Sequence, residues 1–570
     1  MNLYYQTISV APLCCGALLL CPAALCAASP VASPEEQRAA ARLDAGELQR
    51  QQERERALQQ QNTSHPQVRL NVPPLAVTAY PANEKPCFPL HSVSLQGEEA
   101  GRFQWALAAV NDINGRCLGG QGIKLAMDRV QNAILARGFV TTRVMAREQD
   151  LRQGVLTLTL QPGRIGEVRF SDAVGWRGRL WNALPARRGD LLNLRDIEQG
   201  LENLRRVPNV TADIRIVPGQ QEGSSDLLIG WQESLPLHLN LAVDDSGSKS
   251  TGRYLGSATL SADAPFAQND LFYASIGRDL FQHGPFGNRS HTLNYVIPYG
   301  YWLFSANYND YTYHQTLPSA GDILTYSGKS ENARFTVSRL LLRSQSHKTS
   351  LSLSAWGRHA TNAVDGEDIR QQRRRTAGWE AGINQHSYLN SATLDGNLRW
   401  RRGTGAFGAR PAPEERYHGG SARTGIASGD LSLYLPLTST WRYSGTLSGQ
   451  WSRHALTPQD RMAIAGRYTV RGFDGEELLS GERGVQWRNE LAWRALLPDQ
   501  ELYWAVDYGR VSGPGSRYLA GHQLAGSAVG LRGALWQRLS YDLFAGVPLV
   551  KPQGFHTSGL TSGFSVSLQL

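Results

Sequence analysis

At 570 residues, with 41% hydrophobic residues and 14 Trp, 21 Tyr and 15 Phe, the chain is too long for one ordinary domain and too rich in core-forming residues to be disordered. A mean hydropathy of -0.36, with no run of about 18 apolar residues beyond the N-terminus, excludes a spanning helix. It does not exclude membrane strands, whose alternation over roughly 10 residues averages to mild polarity. The net charge of +9 is dispersed. Its densest cluster, Arg370 with Arg373, Arg374 and Arg375, falls in a predicted loop, so nucleic acid is not an expected partner.

Residues 1–28 read as an export signal. Leu13 to Leu25 is apolar and small, and Cys26-Ala27-Ala28 precedes a polar segment. No Lys or Arg occurs before Arg38, so the usual basic flank is missing, and a Leu precedes both Cys21 and Cys26, which speaks against a lipoprotein. Four of the six cysteines lie in this signal, leaving Cys87 and Cys117. They form either one disulfide or two buried thiols. Export favours the disulfide, which would stabilise by roughly 3–4 kcal/mol.

Ser33-Pro34-Glu35-Glu36 is a helix start, with Ser33 as cap, Pro34 in the first turn and Glu36 closing a capping box. Residues 33–62 are therefore predicted helical. The helix is polar nearly all round, so it belongs in solvent or in a hydrated cavity. Its length of roughly 43 Å would cross a barrel lumen. Residues 63–86, with Pro66, Pro73, Pro74, Pro81 and Pro86, read as an extended linker.

Residues 87–161 and 162–234 repeat one β-α-α-β-β order. The first unit has strands at 91–95, 139–146 and 154–160 and helices at 103–110 and 123–137. The second has strands at 165–170, 210–217 and 225–231 and helices at 176–184 and 194–205. This is a duplicated α+β architecture. Residues 235–570 then alternate with period two. In Val485 to Arg494, Val485, Trp487, Leu491 and Trp493 oppose Gln486, Arg488, Glu490 and Arg494. Apolar residues against charge suit lipid opposite a wet lumen. About sixteen strands are counted. Long connections near 281–290, 314–329, 359–375, 402–423, 455–484, 512–522 and 551–562 alternate with short ones such as Pro298 to Tyr301, Pro436 to Thr440, Leu497 to Gln500 and Trp536 to Arg538. That parity predicts an up-and-down, 16-stranded antiparallel transmembrane β-barrel behind two α+β domains and a helix.

The connection 455–484, between the eleventh and twelfth predicted strands, contains Gly466-Arg467-Tyr468-Thr469-Val470-Arg471-Gly472-Phe473-Asp474-Gly475-Glu476. With Gly481-Glu482-Arg483-Gly484, the strand after it, and Asp507 in Ala505-Val506-Asp507-Tyr508-Gly509, it resembles the POTRA-and-barrel superfamily of outer-membrane assembly factors and protein transporters. Two N-terminal domains point within it to the two-partner secretion transporters, which export haemolysins, filamentous adhesins and contact-dependent inhibitors. Cys87-Phe88, Gly115-Arg116-Cys117-Leu118-Gly119, Gly138-Phe139-Val140-Thr141-Thr142-Arg143-Val144 and Gly154-Val155-Leu156-Thr157-Leu158 resemble that group's first POTRA domain. Ala465 stands where a Gly is common, and the chain ends in Leu570 where Phe is usual.

The resemblance implies a tip, Val470-Arg471-Gly472-Phe473, folded into the lumen. On strand alternation Asp507 and Glu490 face that lumen, and a bidentate Arg471–Asp507 pair would latch the loop there. The implied location is the bacterial outer membrane with the POTRA domains in the periplasm. The implied partners are an exported exoprotein of haemolysin, adhesin or contact-dependent toxin type, membrane lipid and the barrel-assembly machinery, with the chain a monomer. The tandem domains offer sheet edges for strand addition by an extended client.

Enzyme, metal and cofactor chemistry is not expected. Gly328-Lys329-Ser330 has Ile323 where a phosphate loop needs Gly, Ser246 and Lys249 match S-x-x-K only in a hairpin turn, and no H-E-x-x-H occurs. The rival readings are a passive porin or surface receptor, which would need no tandem domains, and an outer-membrane hydrolase, which would need a Ser held by a His.

Overall fold

The computed structural model describes residues 46–47, 50–52, 54–55, 67–71, 73–172, 174–281, 284, 286–318, 323–417, 419–494, 499–536 and 538–570. The predicted export signal at 1–28 lies outside them, as does most of the predicted helix at 33–62. The seven described residues between 46 and 55 are helical.

In the first α+β unit a central strand, Val155–Gln161, pairs in parallel with Ser92–Gln96 and antiparallel with Arg143–Ala146. Helix Gly120–Ala136 covers this sheet because Ala126, Val130 and Ile134 recur at helical spacing and are fully buried against Leu156 and Leu158. Gly138, at φ 95°, ends it. The predicted helix at 103–110 is instead one α-turn, Ala100–Phe103, followed by a 3-10 helix, Gln104–Ile113, kinked at Val110. Its Asn and Asp side chains compete for backbone hydrogen bonds, which weakens an α-helix there. Cys87 and Cys117 are disulfide-bonded, 5.2 Å apart at Cα, beside the short pairing of Phe88–Leu90 with Arg116–Leu118.

The second unit repeats the sheet with Ser224–Glu233 between Arg164–Phe170 and Val210–Pro218. Helix Leu194–Leu204 packs on it, capped by the Asn193 side chain. The helix expected at 176–184 does not form, and the described residues of that stretch make turns. Gly175, Gly178 and Pro185 weaken it locally. The stretch is also pinned: Asn182, fully buried, donates to Pro298 O at 3.1 Å and accepts from Gly300 N at 2.8 Å on a barrel turn.

Sixteen strands, from Leu237–Asp244 to Thr561–Gln569, close a barrel, each antiparallel to its neighbours. The last strand pairs with the first from Ser565↔Asp244 to Gln569↔Asn240. Leu570 exchanges two backbone hydrogen bonds with Leu239, at 3.1 and 2.8 Å, so the terminal Leu takes part in the seam. Two of the expected long loops are largely strand. Trp302–Pro318, Ile323–Arg343 and His347–Val364 run 17, 21 and 18 residues, whereas about 9–11 span a bilayer. Their outer ends carry polar residues such as Thr312, His314 and Thr316 on the outward face, and the sequence there resembles a loop. Tyr311, Tyr313 and Tyr326 hold that extension together from inside.

Candidate functional site

The connection from Trp451 to Arg483 folds back into the barrel. Met462–Ile464 pairs with Leu479–Gly481, and the tip 465–478 projects from this ribbon. Ile464, Val470, Phe473 and Leu479 bury completely or nearly so against Val511, Leu524 and Phe555 of the wall and a neighbouring loop. The Phe473 and Phe555 rings meet edge to face at 5.9 Å.

Every nitrogen of Arg471 donates a hydrogen bond inside this nest. Its Nε donates to Asp507 Oδ2 at 2.7 Å and its Nη2 to Asp507 Oδ1 at 2.9 Å. Its backbone N also donates to Asp507 Oδ2, at 3.0 Å, while Nη1 reaches Glu490 Oε2 at 2.8 Å and Nη2 reaches Asn489 O at 3.2 Å. Asp507 is fully buried and Arg471 is 6% exposed. An isolated charge could not sit there, but a bidentate pair with four of five guanidinium donors bonded can. The line of opposite charges continues along the wall: Glu490 accepts from Arg532, which also reaches Glu501, and Glu501 accepts from Arg442.

The tip rests on a bed of wall glycines. A Cβ at Gly526 would lie 1.9 Å from Arg471 O, and one at Gly509 would lie 2.9 Å from Val470 Cγ2. Gly472 fits on two counts: its φ is 98°, and a Cβ there would meet Val547 O at 2.4 Å. Ala465 adopts φ 137°, a backbone conformation suited to glycine, so the departure at this position carries strain.

An inward-folded V-R-G-F tip, a closed 16-stranded barrel and two α+β domains together describe one family. The family described as haemolysin secretion/activation protein ShlB/FhaC/HecB matches residues 223–533. ShlB-type POTRA and POTRA domains match 88–163 and 164–218. The chain belongs to this family. It is 36% identical over 562 residues to outer membrane transporter CdiB-2 of Burkholderia pseudomallei strain 1026b, covering 94% of this chain and 96% of that protein. The solved structure of CdiB from Acinetobacter baumannii is 31% identical, with a TM-score of 0.80 over 92% of this chain and 98% of that one. CdiB from Escherichia coli gives 26% and 0.83 over 93% and 99%.

In this family member the described helical residues 46–55 occupy the lumen. Arg54 Nη2 donates to Asp244 Oδ2 at 3.1 Å, and Arg50 Nη1 donates to Gly475 O of the tip at 2.6 Å. Glu47 accepts from Tyr311 and Ser248, and Glu55 from Asn309. None of these contacts is apolar. They explain why a helix polar on all sides can be buried: the wall around it offers polar side chains.

The second POTRA domain is keyed to the periplasmic rim by charge. Arg343, at the end of barrel strand Ile323–Arg343, donates to Glu198 Oε2 at 3.0 Å, to Glu202 Oε1 at 2.9 Å and to Val68 O of the linker at 2.7 Å. Burial would raise the Glu202 carboxyl, but hydrogen bonds and charge from Arg343, with help from Lys348, hold it below its ordinary value. Sequence reading found Arg471, Asp507 and Glu490, which the structure brings together. It missed Arg343, Glu202, Arg50, Arg54 and the glycine bed. The lumen-facing register of Gly509, Gly526 and Gly546 was the available signal for the last.

Proposed function

We propose that this chain is an outer-membrane translocator of two-partner secretion: it takes an unfolded exoprotein at its POTRA domains in the periplasm and exports it through the barrel lumen. In this reading residues 1–28 are the export signal, 33–62 a plug helix, 63–86 its linker, 87–161 and 162–234 the POTRA domains, and 235–570 the barrel. The observation that carries the proposal is a lumen holding two elements of the chain itself, both held through side chains, with the second of two tandem domains docked at its mouth. The open edges Ser92–Gln96 and Val210–Pro218 suit strand addition by an extended client. Closure of the last strand on the first supports a monomer, inserted by the barrel-assembly machinery.

Arg471, held by Asp507 and Glu490, keeps the tip in a fixed shape beside the path. Arg471→Ala is expected to leave an inserted barrel, read by heat-modifiable migration on gels, and to abolish most export of the exoprotein encoded beside this chain. Full export by that variant would overturn the latch. Ion conductance without any dependent export would support the passive porin instead.

A further inference from the structure

A groove of about 700 Å³ lies between the second POTRA domain and the periplasmic end of the fourth to sixth barrel strands, and nothing in the transport path uses it. From the barrel it receives Tyr299, Trp302 and Arg339. Trp302 and Arg339 are partners in the strand register, on the lipid-facing side, and the guanidinium lies 4.9 Å from the Trp302 ring centroid. An aromatic ring and an arginine at a strand end mark the headgroup level of a bilayer. From the POTRA domain the groove receives Trp181, stacked at a tilt on Tyr299 with ring centroids 5.6 Å apart, together with Arg169, Arg187 and Arg188. Trp181 is 61% exposed, and Trp176 in the same pinned stretch is 60% exposed.

A largely exposed indole stacked on a barrel's aromatic rim is poorly explained by a soluble surface. Its height is fixed by the adjacent Asn182, which ties the stretch to the barrel turn. Four arginines against one carboxylate, Glu167, give the groove a positive field. Of the four, only Arg169 has an ion pair, a 4.0 Å approach to Glu167, among the described residues.

We infer that this groove binds the phosphodiester headgroup of an anionic phospholipid from the periplasmic leaflet. Arg169, Arg187, Arg188 and Arg339 meet the phosphate, while Trp181 and Trp302 lie along the glycerol and upper acyl chain. The contact would fix the second POTRA domain against the membrane as well as against the barrel. Arginine forks suit phosphate oxygens, and each basic residue near an anionic surface contributes about five-fold in affinity.

The test compares the full chain with its R169Q/R187Q/R188Q variant, both purified in neutral detergent, and counts retained dioleoylphosphatidylglycerol by native mass spectrometry. The altered side chains are exposed, and the unchanged heat-modifiable migration of the variant checks its fold. We expect one more lipid held by the parent, with at least about ten-fold weaker retention in the variant. A second variant, W181A, is expected to weaken retention without changing net charge. Equal retention by parent and triple variant would overturn the inference. So would displacement of the lipid by inorganic phosphate at matched concentration, which would make this a free-anion site, and so would equal retention of uncharged dioleoylglycerol.

Discussion

Two pieces of the chain fill the barrel lumen, and they are held in different ways. The loop tip combines an apolar cluster around Val470 and Phe473, a glycine bed and an arginine bonded through every nitrogen. The N-terminal helix has side-chain contacts that are polar or ionic throughout its described residues. Ion pairs and hydrogen bonds exchange readily for water, whereas an apolar cluster and a buried bidentate pair do not. On the proposed function, the helix is the occupant that leaves and the loop the one that stays. A lumen that must pass a chain needs something that leaves, and something that keeps the wall in shape while it does.

The largest effect should come from Asp507→Ala, which removes three hydrogen bonds from Arg471 and leaves a buried cation beside a single carboxylate. A cost of about 3–5 kcal/mol is expected, read as protease cleavage within 465–478 in an otherwise inserted barrel. Gly526→Val should act through shape alone. Its side chain would collide with Arg471 O, at a cost of about 1–3 kcal/mol, and give the same cleavage more weakly. The helix should respond to much milder changes. Arg50→Gln with Arg54→Gln removes three charge-assisted contacts, to Gly475 O, Glu47 and Asp244, and should raise open-channel conductance about ten-fold, with no change in loop cleavage. If both segments release together, the contrast between them is wrong.

Two smaller tests sharpen it. The POTRA dock is ionic like the helix, so acid should loosen it. The Glu202 carboxyl is held below its ordinary value, so its contribution is full above about pH 4.5 and is lost as pH falls through the lowered value. Hydrogen exchange in helix Leu194–Leu204 should rise in that window while the tip stays protected. Ala465→Gly should relieve the positive φ and stabilise the ribbon by about 1 kcal/mol, after glycine's own entropy cost is subtracted. A slightly higher melting temperature, with export unchanged, is the expected result.

The barrel was legible because its wall alternates between lipid and water. Trp487 and Trp504 point out at 51% and 55% exposure, while Asp507 is fully buried. Where that contrast ends, so does the signal: residues 314–318 and 323–329 are strand beyond the membrane and read as a loop. The Arg471–Asp507 pair could be placed because Arg471 has a recognisable neighbourhood in sequence and strand parity aims Asp507 inward. The bed beneath it could not be read so directly, since a glycine in a strand does not say what rests on it. The stretch after residue 174 failed for a tertiary reason. Gly175, Gly178 and Pro185 left the helix weak, and Asn182, clamped to Pro298 and Gly300, holds the backbone in turns.

The direct test ties the helix down. Gly46 and Leu478 are neighbours, a Cβ at Gly46 lying 3.5 Å from Leu478 Cδ1. Cysteines at both positions, bridged by a short reducible bis-thiosulfonate, would fasten the helix to the tip, with the parent chain under the same reductant as control. Export of the neighbouring exoprotein should stop in the bridged protein and return on reduction. Undiminished export through the bridged form would mean that the helix need not leave, and the division between a removable and a resident occupant would fall.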